Sequence, residues 1–298
     1  MNKETINFLE LYILLKEKRI LIFYSVIITS ILSLLYSYSV PEIYKANAIL
    51  IKESRQELPS VPSQLSNLAS LGGVSLPGEG FSREKEAIEV IKSRNFLVEF
   101  NSRRNIFPDL MAANSWNEET DIVSYEDFDP DTGEWTGNFR SGSNSPSILE
   151  AHEVFLSEYL EIEKDEVTGM IHLSIKHISP NIAKSWVDWI VQDINSYFAE
   201  RDRQTALRSM AFLEARIVNT NQIELKKLLF ELIAEEEKKL TLINSNDEYV
   251  LRVLDQAFLP ETLYSPIRIN FLFFGIILGL LLPISLIFLS YLKRKTGS

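Results

Sequence analysis

The stretch ILIFYSVIITSILSLLYSYSV, Ile20–Val40, contains 21 residues and no charged side chain. At a rise of about 1.5 Å per residue, a helix of this length crosses the roughly 30 Å hydrocarbon core of a bilayer. A second uncharged run of 24 residues covers Ile269–Leu292. Two transmembrane helices are therefore predicted, because the apolar part of a cleaved signal peptide and the helices of soluble proteins are usually shorter or interrupted by charges.

Basic residues flank both runs on the side of the chain termini. The first 19 residues contain four Lys or Arg, and three more lie within the last six residues. Because short basic flanks stay in the cytoplasm, both termini are predicted to be cytoplasmic and residues 41–268 to lie on the other side of the membrane. The predicted order is a cytoplasmic segment at 1–19, membrane helices at 20–40 and 269–292, and a cytoplasmic tail at 293–298.

The central segment is acidic. Residues 41–268 hold 23 Lys or Arg and 38 Asp or Glu, a net charge near −15. Such a surface repels nucleic acid and anionic headgroups, which excludes nucleic acid as a partner. The chain has no cysteine, which removes disulfides, thiol catalysis and cysteine-ligated metal centres.

Strand and helix patterns are mixed in the central segment, which predicts an α+β fold. Tyr44–Ile51 alternates as a strand with Tyr44, Ala46, Ala48 and Leu50 on one face, whereas glycines and prolines predict a loop at Ser54–Gly80. Apolar residues at helical spacing predict one amphipathic helix over 84–101. The other predicted elements are an aromatic-rich hairpin turning at Asp131–Gly133, a helix at 147–159, and strands at 160–163, 170–177 and 249–258.

A long apolar stripe at helical spacing begins after Ser179 and Pro180, a typical cap and first helical residue. It continues to Asn244 with a polar interruption at Asn219–Gln222. One unbroken helix over 182–244 would be about 95 Å long and would leave little chain for the return to the membrane. A helical hairpin turning near Asn219–Asn221 is therefore favoured. The interruption contains neither Gly nor Pro, so an unbroken helix stays open as the alternative.

The pattern of polar residues predicts neither an enzyme nor a bound cofactor or metal. Residues 127–133 space their acids like a calcium loop, but the glycine and glutamate positions of an EF-hand hold Thr132 and Asn138. His172 and His177 are an odd number of residues apart on a predicted strand, so their side chains point to opposite faces.

Small residues recur at every fourth position in both predicted membrane helices, and such side chains let helices approach closely. These residues are Thr29, Ser33, Ser37, Gly275, Gly279 and Pro283. They are the predicted contacts for packing of the two helices or of neighbouring protomers, with exposure to lipid as the alternative.

The order of these parts resembles the chain length determinant (Wzz-like) family of polysaccharide co-polymerases. The likeness is carried by Pro41–Ala48 (PEIYKANA), Ile91–Phe96 (IKSRNF), Ser179–Trp186 (SPNIAKSW) and the proline-rich lead from Pro260 to Gly279. The resemblance implies a family motif beside the membrane, made of Pro41, Tyr44, Ala46, Pro260, Ser265, Pro266 and Arg268. The cytoplasmic kinase of larger members is not expected, because six residues follow the second run.

The resemblance implies a bacterial inner-membrane protein that forms a homo-oligomeric ring, with an α/β base near the membrane and long helices protruding into the periplasm. The implied function is to set the length of a polysaccharide, such as O-antigen, an enterobacterial-type polymer, capsule or exopolysaccharide. Its implied partners are other copies of itself, a membrane polymerase, lipid-linked polysaccharide and the bilayer. The alternative function is that of an inner-membrane component of a capsule export complex.

Overall fold

A computed structural model describes residues 16–53, 82–137, 139–140, 142–245 and 247–296. They belong to two units, Met1–Ile43 with Thr262–Ser298, and Tyr44–Glu261. The predicted loop at Ser54–Gly80 and most of the predicted cytoplasmic segment lie outside the described residues. In chain order the elements are α1 (Arg19–Ser37), β1 (Tyr44–Lys52), α2 (Arg83–Ile91), α3 (Arg94–Arg104), α4 (Phe107–Met111), β2 (Ala113–Asn117), β3 (Ile122–Tyr125), β4 (Phe128–Asp129), β5 (Glu134–Trp135), α5 (Ile148–Val154) with a π-helical turn (Phe155–Tyr159), β6 (Leu160–Lys164), β7 (Ile171–His177), α6 (Pro180–Val218), α7 (Ile223–Asn244), β8 (Leu251–Asp255) and α8 (Arg268–Thr296).

The first unit contains two long apolar helices, α1 and α8, which pack against each other. Both are long and apolar enough to cross a membrane. Most of their large side chains face outward; Phe23 is 64% exposed and Leu281 59% exposed. A soluble core helix would bury these side chains, so the outward apolar surface favours contact with lipid.

The second unit is built on a four-stranded antiparallel sheet in the order β6-β7-β1-β8. Ala46, Ala48 and Leu50 of β1 lie opposite buried residues of β7, and α6 contacts both strands. The alternation in Tyr44–Ile51 therefore comes from one buried face. On the other face the Nζ atoms of Lys45 and Lys176 each lie 2.9 Å from the Glu161 carboxylate. These two ammonium groups lower the pKa of Glu161.

The prediction of one helix over 84–101 is wrong, because the chain forms two helices, α2 and α3. Ser93 between them has an extended backbone, and its hydroxyl oxygen accepts a hydrogen bond from the Phe96 N–H at 3.2 Å. This N-cap bond satisfies a donor that a new helix would otherwise leave free. Ile91 before the break and Leu97 after it are both fully buried. Because both helices bury an apolar face, the helical spacing of apolar residues continues across Ser93 and hides the break.

The long apolar stripe forms two helices, α6 with 39 residues and α7 with 22 residues. The unbroken helix is therefore wrong: helical geometry stops at Val218 and resumes at Ile223. Asn219 contributes to the stop, because its side-chain N–H donates to the Ala215 carbonyl at 2.9 Å. Such a side-chain bond satisfies a backbone carbonyl at a helix end and competes with continuation of the helix. α6 and α7 contact each other.

Two short antiparallel ribbons follow α4. The pair β4–β5 lies where a hairpin was predicted, with Gly133 at φ +71° in its turn. The pair β2–β3 was not predicted, because Ala113–Asn117 is too polar to be recognised as a strand. The final strand is shorter than the predicted 249–258. Before it, the Val250 carbonyl still accepts from the Glu53 N–H at 3.0 Å, but the Val250 N–H donates to Asn195 Oδ1 of α6 at 2.7 Å.

Candidate functional site

The two apolar helices approach each other closely at two glycines of α8. A Cβ atom added to Gly275 would lie 2.8 Å from the Cα of Ser30, and one added to Gly279 would lie 2.6 Å from the Cα of Val26. Real side chains do not come this close to a neighbouring backbone. The contact therefore requires glycine at both positions.

Two hydroxyl groups of α1 reach backbone oxygens of α8 at this contact. Thr29 Oγ1 lies 2.8 Å from the Gly275 carbonyl oxygen and 2.9 Å from the Ser25 carbonyl of its own helix. Ser33 Oγ donates to the Phe271 carbonyl at 2.6 Å. Hydrogen bonds between membrane helices contribute about 0.6 kcal/mol each on average, so these bonds fix the register of the pair more than they stabilise it.

The small residues predicted for helix packing thus lie at the contact between two helices of one chain. Thr29 and Ser33 come from α1, and Gly275 and Gly279 come from α8. Ser37 and Pro283 are buried as well. The spacing of small residues predicts that each helix has a contact face. In the structure the contact face of α1 packs against α8 of the same chain.

A second group of contacts joins the chain just after α1 to the segment that leads into and begins α8; we call it the clasp (Tyr38, Glu42, Ile43, Ser265 and Arg268). The Ile43 N–H donates to the Ser265 carbonyl at 2.8 Å. Arg268 Nη2 donates to Glu42 Oε1 at 2.6 Å, and its guanidinium lies 4.6 Å from the centre of the Tyr38 ring. The clasp holds the two chain segments together where the first uncharged run ends and the second begins.

The clasp contains part of the motif implied by the family resemblance. Ser265 and Arg268 belong to it, and Pro266 lies buried between them in the sequence. Tyr44 and Ala46 belong instead to the sheet, where Ala46 is buried and the Tyr44 ring lies 5.5 Å from the Trp116 ring. The remaining predicted residues are Pro41, which is exposed, and Pro260, which is half-buried.

Three residues of the clasp were not predicted from the sequence: Tyr38, Glu42 and Ile43. A signal for Glu42 was present, because it is the first acid after one uncharged run and Arg268 is the last base before the other. Opposite charges at corresponding ends of two antiparallel helices predict an ion pair. Tyr38 and Ile43 gave no comparable signal, since aromatic and aliphatic residues are common beside membrane helices.

His177 is a buried structural residue at the corner between β7 and α6. Its Nδ1 accepts a hydrogen bond from the Ser179 N–H at 2.9 Å, and its Nε2 lies 3.2 Å from the Asp109 carbonyl oxygen. Burial lowers the pKa of His177 to about 4, so the ring is neutral at physiological pH. A neutral ring with Nε2 protonated satisfies both contacts.

The lowered pKa of His177 predicts that the protein loses stability in acid. Between pH 6.5 and 4 the unfolded chain binds a proton that the folded protein does not bind, so the free energy of unfolding falls as the pH falls. The contribution is fully present above pH 6.5 and has decreased by roughly 3 kcal/mol at pH 4. Urea unfolding of the detergent-purified protein at pH 7 and pH 4.5 measures this decrease.

The matched variant is His177→Asn, whose side-chain oxygen can accept the Ser179 N–H in place of Nδ1. Its unfolding should depend less steeply on pH than that of the unsubstituted protein. Burial raises the pKa of Asp109, which acts in the opposite direction, but this carboxyl is present in both proteins and cancels in the comparison. Equal pH dependence in both proteins would contradict the assignment.

The acid-rich turn that resembles a calcium loop is held by its own hydrogen bonds. Asp129 Oδ1 accepts from the Asp131 N–H at 2.9 Å, and Asp129 Oδ2 accepts from the Thr132 hydroxyl at 2.9 Å. Within the part of the chain that the structure describes, no group of three His, Asp or Glu side chains is arranged to hold a metal ion.

The N-terminal third of the chain matches a known protein family. Residues 4–103 match the family model Wzz, chain length determinant protein. This part of the chain is similar to the Wzz family. The match confirms the resemblance seen in PEIYKANA and IKSRNF, and it extends over α1, β1 and α2 into α3. The Wzz match does not reach SPNIAKSW or the proline-rich lead into α8. No curated protein matches the sequence.

Solved structures that this chain is similar to include polysaccharide co-polymerases. A full-length bacterial polysaccharide co-polymerase has 13% identity and a TM-score of 0.39, and the alignment covers 95% of this chain and 97% of that chain. A fragment of WzzB from Salmonella Typhimurium has 13% identity, a TM-score of 0.29, and coverage of 76% and 100%. A point mutant of the Shigella flexneri O-antigen chain-length regulator WzzBSF has 12% identity, a TM-score of 0.23, and coverage of 74% and 100%. Because all three TM-scores lie below 0.5, these structures do not establish a shared fold for this chain.

Proposed function

We propose that this protein is a co-polymerase that sets the length of a bacterial polysaccharide by acting on a membrane polymerase. The observation that carries the proposal is the Wzz match at residues 4–103. The close contact of α1 and α8 supports it, because a regulator that acts through assembly needs a defined structure in the membrane. The protein binds the polymerase and its lipid-linked polysaccharide without catalysing bond formation itself.

The proposed topology places both termini in the cytoplasm and residues 41–268 in the periplasm. Its support is the basic residues beside both uncharged runs, which are retained on the cytoplasmic side. The outward apolar surfaces of α1 and α8 support insertion into the inner membrane. In this arrangement the clasp lies at the periplasmic ends of the two membrane helices.

We further propose that α6 and α7 form a helical hairpin that protrudes from the sheet; we call this hairpin the arm. α7 starts after a four-residue connection and contacts α6. Tyr249, which follows α7, donates its hydroxyl to Asp202 of α6 at 2.8 Å, so the chain comes back to α6 after α7. An antiparallel pair satisfies both observations.

The arm supports the proposed homo-oligomer, because one chain leaves large apolar side chains of the arm in solvent. Phe212 is 70% exposed, Val218 82% and Ile223 79%. Exposed apolar groups in such number favour contact with another protein surface. Copies of the same arm supply that surface in a closed ring, where each interface joins two different faces.

Deletion of the gene tests this function. The amount of polymer and its presence at the cell surface should be kept, because synthesis and export do not need this protein, whereas the preferred length should be lost. Re-expression of the unsubstituted protein is the control and should restore the preferred length. Polymer that is lost, or that accumulates inside the cell, would contradict length control and favour a role in export.

A further inference from the structure

Charged side chains from three segments meet where α6 leaves the hydrophobic core. Phe198 is the last large side chain of α6 that is fully buried. In the next turn lie Arg201 and Asp202, which contact Arg83 and Glu86 of α2. Tyr249, in the segment that follows α7, completes the group. We call these five residues, Arg83, Glu86, Arg201, Asp202 and Tyr249, the collar.

The contacts of the collar have a defined direction. Arg83 Nη1 lies 2.9 Å from Asp202 Oδ2, which also accepts the Tyr249 hydroxyl at 2.8 Å. In the second pair the base comes from α6 and the acid from α2: Arg201 donates to Glu86. Each of the two helices therefore supplies one base and one acid to the other. A shift of either helix by a few ångströms weakens both ion pairs, so the collar defines one relative position of α2 and α6.

The collar is shielded from water mainly at Asp202 and Tyr249, whereas the side chains of Arg201 and Glu86 are more than a third exposed. Asp202 keeps only 17% of its side-chain surface exposed, and Tyr249 is buried. Burial and the hydrogen bond to Asp202 raise the pKa of the Tyr249 hydroxyl, whereas Arg83 opposes the shift. The hydroxyl thus stays protonated and remains a donor to Asp202. The Arg201 guanidinium also lies 4.4 Å from the centre of the Phe198 ring, which joins the collar to the core.

Packing alone leaves the direction of the arm poorly defined. Beyond Phe198, the buried apolar residues of α6 and α7 are Ala206, Leu229 and Ile243. Apolar burial is not directional, so the contact of α6 with the sheet permits small tilts. Residues 199–218 extend α6 by about 30 Å, and a tilt of 10° would move its end by roughly 5 Å. Directional contacts at the edge of the core oppose such a tilt most effectively.

We propose that the collar is a joint that fixes the direction of the arm relative to the sheet and couples this direction to the position of α2. Neutralising Asp202 removes the acceptor of the ion pair with Arg83, of a longer pair with Arg201 at 3.6 Å, and of one charge-assisted hydrogen bond, and the arm then tilts over a wider range. High salt acts in the same sense by screening both pairs. Only the consequence for polymer length rests on the proposed function: arms held less uniformly give a broader distribution of lengths.

The test measures distances between spin labels in the full-length protein. The chain has no native cysteine, so labels can be attached at Glu89→Cys on α2 and Ala215→Cys on the outer part of α6. Labelled protein is diluted into unlabelled protein so that only distances within one chain are measured. In Asp202→Asn the distribution should broaden or shift by roughly 4 Å, the displacement that a 10° tilt gives about 25 Å beyond Phe198.

Two controls define the outcomes. Glu200→Gln breaks the exposed pair with Arg203 on the same helix and should leave the distribution unchanged. A label pair at Glu89→Cys and Asp188→Cys, both near the core, should not respond to Asp202→Asn. The joint is overturned if Asp202→Asn matches Glu200→Gln, or if the core pair broadens as much as the arm pair. An arm that moves while the preferred polymer length stays the same would overturn the link to length, while the deletion test decides the proposed function separately.

Discussion

Replacing Gly275 and Gly279 together with leucine is expected to separate α1 from α8. Even the first side-chain atom at either position would lie within 2.8 Å of a backbone atom of α1. Relief requires that the helices move apart, which also breaks the bond from Ser33 to the Phe271 carbonyl. Overpacking costs about 1–3 kcal/mol per site, enough to shift the pair strongly towards the separated form.

Disulfide formation between two introduced cysteines measures this separation. Tyr36→Cys and Phe271→Cys place the two thiols where side chains of α1 and α8 meet, since the two ring centres lie 6.2 Å apart, and the chain has no other cysteine. The yield should be high with both glycines present and at least several-fold lower with both leucines. Ser285→Leu adds similar bulk at an exposed position of α8 and should not change the yield. An undiminished yield in the double leucine variant would show that the glycines do not form the contact.

Asn195→Leu is expected to destabilise the central unit more than any other single substitution considered for this protein. Asn195 is 2% exposed and lies on α6 beside the start of β8. Its Oδ1 accepts from the N–H groups of Val250 and Leu251 at 2.7 and 2.9 Å, and its Nδ2 donates to the Leu251 carbonyl at 2.8 Å. Leucine would leave three buried backbone groups unpaired, at a cost of about 1–3 kcal/mol each.

A loss of this size is a large fraction of the 5–15 kcal/mol that typically stabilises a domain. Urea unfolding followed by tryptophan fluorescence measures it, because Trp186 lies fully buried on the same helix. Asn219→Leu is the matched control. The Asn195 side chain also donates to the Val191 carbonyl four residues earlier at 3.0 Å, and Asn219 makes the equivalent bond to Ala215 at an exposed position. The unfolding midpoint should fall strongly for Asn195→Leu and little for Asn219→Leu. Equal midpoints would contradict the role of Asn195.

Elements marked by a long uncharged run or by strict alternation of apolar and polar residues were predicted well from the sequence. The uncharged runs at 20–40 and 269–292 correspond to α1 and α8, and alternation located β1 and β7. These patterns are local: an uncharged run is set by the apolar character of a whole helix, and the alternation in a strand is set by its one buried face. Breaks were harder to locate: Ser93 interrupts an apolar period that continues on both sides of it.

Contacts between distant parts of the chain were predicted least. The spacing of Thr29, Ser33, Gly275 and Gly279 marked contact faces, but spacing cannot distinguish the second helix of the same chain from a neighbouring protomer. Asn195 gave no signal, because an asparagine on a helix is most often a solvated residue. The collar was missed for a similar reason: Arg83 and Asp202 are far apart in the sequence and common on helix surfaces.

The length distribution of the polysaccharide, with and without the protein, tests the central claim most directly. A polymerase that acts alone with a constant probability of stopping at each step yields a smoothly decaying distribution, and a preferred length requires a second component. Gel electrophoresis of extracted polysaccharide should therefore show a cluster of bands when the protein is present and a smooth decay when its gene is deleted. An identical ladder in both strains would contradict length control by this protein.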